Sequence, residues 1–132
     1  MKKLIILLLT IMCVHAKAQV NNHSYGQPKE ATYNHIDWKA KVDFDRQMIQ
    51  AEAVYQLKVT AQADQLILDV KNLQVEAVTV DDVNAVWQVG KADPILGAPL
   101  VIAITPKSKK VKVVYSTTQQ SDALLWVEGK KP

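Results

Sequence analysis

Between Ile36 and Val59 the sequence alternates apolar and polar residues almost without interruption, and this pattern constrains the fold more than any other feature. Ile36, Trp38, Ala40, Val42 and Phe44 are separated by Asp37, Lys39, Lys41 and Asp43. After Asp45-Arg46-Gln47, the residues Ile49, Ala51, Ala53, Tyr55, Leu57 and Val59 alternate with Gln50, Glu52, Gln56 and Lys58. A period of two places each apolar set on one face of an extended strand and the charges on the other. Two such runs joined by a short polar turn predict a β-hairpin with one buried face. On that reading Trp38 belongs to the core, and Trp87 follows the same logic.

Further strands are expected at Leu66-Ile67-Leu68, Leu73 to Val80, Val86 to Val89, Leu100 to Thr105 and Val111 to Thr117. Turns fall at Lys71-Asn72, Asp81 to Asn84, Asp93-Pro94, Gly97-Ala98-Pro99 and Pro106 to Lys109, where Pro, Gly, Asn and Asp supply the required backbone geometry. Nothing after the first 18 residues sustains a helical period. The expectation is seven or eight antiparallel strands.

The N-terminus belongs to a different class of signal. Lys2 and Lys3 precede the apolar run Leu4 to Val14, and Ala16-Lys17-Ala18 supplies small residues for cleavage before Gln19. This is the pattern of a signal peptide over residues 1–18, and it implies export to the periplasm or beyond the cell. The apolar run falls short of the roughly 20 residues that span a bilayer, so no membrane anchor is expected. Sixteen basic residues fall to 13 without Lys2, Lys3 and Lys17, and 13 acidic residues balance them. A neutral mature chain gives no reason to expect a nucleic-acid partner. Cys13, the single cysteine, also leaves, so burial alone must hold the fold. Residues 19–32 read as a polar extended arm, and residues 33–132 as one domain.

Catalytic chemistry is not evident. A catalytic zinc takes three closely placed protein ligands, whereas the mature chain has two histidines, His23 in the arm and His35 on the charged side of its strand. Asp81-Asp82 reads as a solvated turn. Lys107, Lys109, Lys110 and Lys112 read as the wet side and turn of a hairpin. No catalytic, metal-binding or substrate-binding residue is assigned. Leu124, Leu125 and Trp126 stand apart, because so few residues follow to cover an apolar cluster of that size. They are the candidate docking surface.

Several stretches in order resemble the N-terminal β domain of the gluzincin zinc aminopeptidases, the family of the membrane alanyl aminopeptidases and the leukotriene-hydrolase branch. They are His23-Ser24-Tyr25, His35-Ile36-Asp37, Val42 to Asp45, Leu66 to Asp69, Val78 to Asp81, Asp93 to Leu100, Val113 to Thr117 and Ala123 to Trp126. The family usually carries Gln where this chain has Leu125, and then continues where Val127-Glu128 runs into Gly129-Lys130-Lys131-Pro132. The resemblance implies an all-β, antiparallel, saddle-like sandwich that is incomplete, as in a truncated chain. It also implies that zinc and the general base belong to a catalytic domain whose motifs have no counterpart here. The expected function is a non-catalytic scaffold within an exported aminopeptidase that removes N-terminal residues from peptides. No cofactor is expected in this chain, its expected partner is that catalytic domain, and its open strands should make it association-prone. The alternative is a free-standing exported β-sandwich that binds a partner without enzymatic activity.

Overall fold

The computed structural model describes residues 23–127. The signal-peptide reading of residues 1–18 and the Gly-Lys-Lys-Pro tail lie outside the described residues. Eight strands are present: β1 (Ala31–Asp43), β2 (Met48–Val59), β3 (Gln65–Val70), β4 (Leu73–Val80), β5 (Val83–Asn84), β6 (Trp87–Val89), β7 (Ala98–Ala103) and β8 (Lys110–Thr117). They form a five-stranded sheet in the order β1-β2-β8-β4-β5 and a three-stranded sheet in the order β3-β7-β6, with every pairing antiparallel. Neither sheet closes on itself, so the expected incomplete all-β sandwich is what is observed.

The hairpin read from the alternation is β1–β2, turning through Phe44 to Gln47, with Gln47 at φ 51°. Other connections depart from the simple hairpin reading. The Lys71-Asn72 turn carries the chain from β3 in the small sheet to β4 in the large one, with Asn72 at φ 54°. Asparagine tolerates this left-handed region better than most residues. The segment Pro106 to Lys109 is likewise a corner between sheets, because β7 pairs with β3 and β6 while β8 pairs with β2 and β4. It is therefore not the hairpin expected from the sequence.

The turn at Asp81-Asp82 is tighter than expected, and Val83-Asn84 already belongs to β5. Both aspartates have positive φ, 50° and 70°, as a two-residue hairpin turn of the primed type requires. Asp81 is more than a solvated turn residue. Its Oδ1 accepts the backbone N–H groups of Lys109 at 3.0 Å and Lys110 at 3.1 Å, which pins the β7–β8 corner.

The core lies between the sheets. Leu66, Leu100, Ile102 and Ile104 from one side meet Val78, Val111 and Val113 from the other, with Tyr55 and Leu57 packed at the margin. Leu100, Ile102 and Val111 are fully buried. Ala31 joins this core, so β1 begins before the boundary expected for the polar arm. The arm itself docks: Tyr25 N–H donates to Asp69 at 2.8 Å, and Ala31 N–H to the Gln27 carbonyl at 3.2 Å.

Register fixes which residues face the core. Val113 lies opposite Ala53, and Ala53 lies opposite Trp38. Directly opposed residues share a face, so Ile36, Trp38, Ala40 and Val42 all point to the inner side, as the alternation implies. Yet Trp38 is 56% exposed, and Ile36, Val42 and Phe44 are exposed as well. The core assignment of Trp38 is therefore corrected. At about 3.3 Å per residue, β1 is roughly twice as long as any strand of the small sheet. The small sheet covers the start of β1, where Ala31 is buried, and leaves the inner face from Ile36 to Val42 largely exposed. Trp87 is half-buried and packs against the core.

Candidate functional site: the open inner face

The uncovered part of the large sheet forms an apolar groove of about 350 Å³ lined by Trp38, Ile49, Leu73, Tyr115, Thr117 and Leu124. Strand alternation puts all four sheet-borne apolar side chains on the inner face. Polar groups hold the walls. Trp38 Nε1–H donates to Tyr115 Oη at 2.9 Å, and Ile49 N–H donates to Thr117 Oγ1 at 2.9 Å. The indole is thus tied in place although half of it meets solvent.

One wall is the segment after β8. Asn72 anchors it twice over: its side-chain amide donates to the Gln120 carbonyl at 2.6 Å, and its carbonyl accepts from Thr118 Oγ1 at 3.0 Å and Ser121 Oγ at 2.7 Å. Lys71 Nζ lies 3.1 Å from Asp122. This exposed ion pair contributes at most about 1 kcal/mol. The candidate docking residues are therefore split. Leu124 turns into the groove, and Trp126 packs edge-on against Phe44 with ring centroids 5.9 Å apart. Leu125 is 87% exposed. Sequence reasoning named this cluster but missed Tyr115, Leu73 and Asn72, because only the register brings them to one place.

Titratable groups are arranged for packing. Burial, with smaller contributions from Tyr115 and Tyr33, pushes the Tyr55 hydroxyl up to about 12, so it stays protonated at neutral pH. Lys110 donates to Asp82 at 2.8 Å, which holds the Asp82 carboxyl below its usual range and raises the lysine. Lys112 faces Glu52 at 3.8 Å. These lysines are neutralised locally, in keeping with a wet face. Two backbone N–H groups, from Leu96 and Ile95, lower Asp93. His23 is exposed, and His35 Nε2 lies 3.2 Å from Asp37. Among the described residues no group of three or more His, Cys, Asp or Glu side chains could hold a metal ion. They do not fit a zinc centre.

No family model matches the chain. Relatives of known name do. The chain is 34% identical over 90 residues to leucine aminopeptidase 2 of Yarrowia lipolytica, a match covering 66% of this chain and 14% of that protein. It is 29% identical over 97 residues to leucine aminopeptidase 2 of Candida albicans, covering 72% and 16%. Among solved structures, native leukotriene A4 hydrolase from Saccharomyces cerevisiae superposes with a TM-score of 0.71 at 23% identity, over 88% of this chain and 19% of that one. A zinc metallopeptidase from Deinococcus radiodurans gives 0.56 at 12% identity, over 70% and 21%. The structural matches establish the shared fold. In every case the chain spans about a fifth or less of its relative's length.

Proposed function

We propose that this chain, a homologue of the N-terminal region of the leucine aminopeptidases, is a non-catalytic β scaffold of an exported zinc aminopeptidase. Its role is to pack on a catalytic domain that removes N-terminal residues from peptides. The observation that carries this reading is the open inner face. Trp38, Ile49, Leu73 and Tyr115 present a shaped, hydrogen-bonded apolar surface that the small sheet leaves bare. Exposed apolar area of this kind marks a surface meant to be covered. The basic and apolar N-terminus, Lys2-Lys3 followed by Leu4 to Val14, supports export.

In this role the zinc and the general base are supplied by the catalytic domain, and this chain contributes one wall and rigidity. The purified chain is expected to release no p-nitroaniline from leucyl-p-nitroanilide, with or without added zinc. Hydrolysis that co-purifies with the chain and stops on adding a chelator would overturn the reading.

A further inference from the structure

β1 is 13 residues long and ends the large sheet, with its outer edge unpaired among the described residues. A long free edge is a template for another strand. We infer that two copies of this chain pair through β1, antiparallel and across a two-fold axis at Lys39, to make one continuous ten-stranded sheet.

The register is specified by side chains on both faces. With Lys39 on the axis, Asp37 of each copy lies opposite Lys41 of the other, and His35 opposite Asp43. On the inner face Ile36 meets Val42, and the large Trp38 meets the small Ala40. Opposite charges directly across a ladder stabilise it, and the small Ala40 leaves room for the indole opposite. The one like pair, Lys39 with its mate, has one residue of each sign, Asp37 and Lys41 of the second copy, as diagonal neighbours, and Asp37 is within reach of a lysine. Shifting the axis to Ala40 opposes Asp37 to Asp43 and Lys39 to Lys41, both repulsive. Shifting it to Trp38 keeps Asp37 opposite Lys39 and pairs the two tryptophans, but it opposes His35 to Lys41 and sets Val42 against Asn34, which the irregularity in β1 takes out of the ladder. One register therefore satisfies both faces, and a one-residue slip is excluded because it would turn the apolar set outward. The pairing also sets the inner-face side chains of β1 beside those of the second copy, in lateral contact. Because it uses the edge and not the groove, it stands independently of the scaffold reading.

The test uses the full coding sequence expressed in an exporting host, with sedimentation measured over a concentration series. The chain should sediment as a dimer at high concentration. Asp37→Lys, and separately Lys41→Asp, should each weaken dimerisation about tenfold, since each replaces two attractive cross-strand pairs with two repulsive ones. The double exchange Asp37→Lys with Lys41→Asp should restore it. In a Cys13→Ser background, Lys39→Cys should form an intermolecular disulfide under air, because opposed residues on antiparallel strands lie within bridging distance. Lys41→Cys should not. A monomer at all concentrations would overturn the proposal. So would a dimer that ignores the charge exchange, or one that cross-links equally through both cysteine positions.

Discussion

β8 and β1 lie in one sheet, separated only by β2, and both alternate apolar and polar residues, yet they live in different environments. Val111 and Val113 of β8 are buried between two sheets and bordered by strands on both sides. Ile36, Trp38 and Val42 of β1 point the same way and remain exposed. The lesson is that a period of two assigns a face, while the length and position of a second layer decide whether that face becomes core. Here the second layer is a sheet of six-residue and three-residue strands laid over strands of 12 and 13 residues. Stability should concentrate under the small sheet, and binding should concentrate beyond it.

The sharpest way to break this contrast is to truncate one large side chain at each end. Leu100→Ala empties a fully buried site and should cost about 2–5 kcal/mol, enough to threaten folding of a domain this small. Trp38→Ala removes a larger side chain but should cost only about 1 kcal/mol, mostly its bond to Tyr115. Urea denaturation of both variants checks the ranking, and equal losses would dissolve the distinction between the two ends.

An effect smaller than that at Leu100 is expected at Asn72, in the turn that leads into β4. Asn72→Ala deletes the side-chain hydrogen bond to the Gln120 carbonyl and leaves alanine in a left-handed conformation, at a cost of about 1–2 kcal/mol. The loss should be felt mainly by the segment it anchors, so Trp126 should detach from Phe44 while the core stays folded. A red shift in tryptophan emission without an equal loss of stability is the expected readout.

The smallest effect is a pH dependence confined to the covered end. Tyr55 is raised, so its contribution is fully present below pH 10 and is lost as pH rises through about 12. Above pH 10 the unfolded chain ionises this tyrosine first and binds fewer protons, which lowers folding stability. Chemical denaturation at pH 9 and 11 should show this fall, and Tyr55→Phe should diminish it.

Much of the architecture was legible in the sequence, for a physical reason. Strict alternation from Ile36 to Val59 encodes two strands and their hairpin, and the turn residues bracket most of the others. Pairing was not legible. β2 binds β8, some 60 residues away, and β3 binds β7, because four of the connections switch sheets at corners such as Lys71-Asn72. A turn that reverses a strand and one that hands it to another sheet use the same residue types. The exposure of Trp38 was illegible for the same cause, since it depends on a covering sheet encoded elsewhere. Leu124, Leu125 and Trp126 were visible as a cluster, but the split of their directions follows from the hold of Asn72 on Gln120 and Ser121.

The central claim is that one sheet has a closed end and an open end, and native-state hydrogen exchange tests it most directly. At a concentration low enough to keep the chain monomeric, amides of β7 and β8 should exchange only through global unfolding. The amides of β1 that bond to β2 should exchange orders of magnitude faster than these, by local opening of the uncovered strand. Uniform protection across β1, β7 and β8 in the monomer would contradict the account.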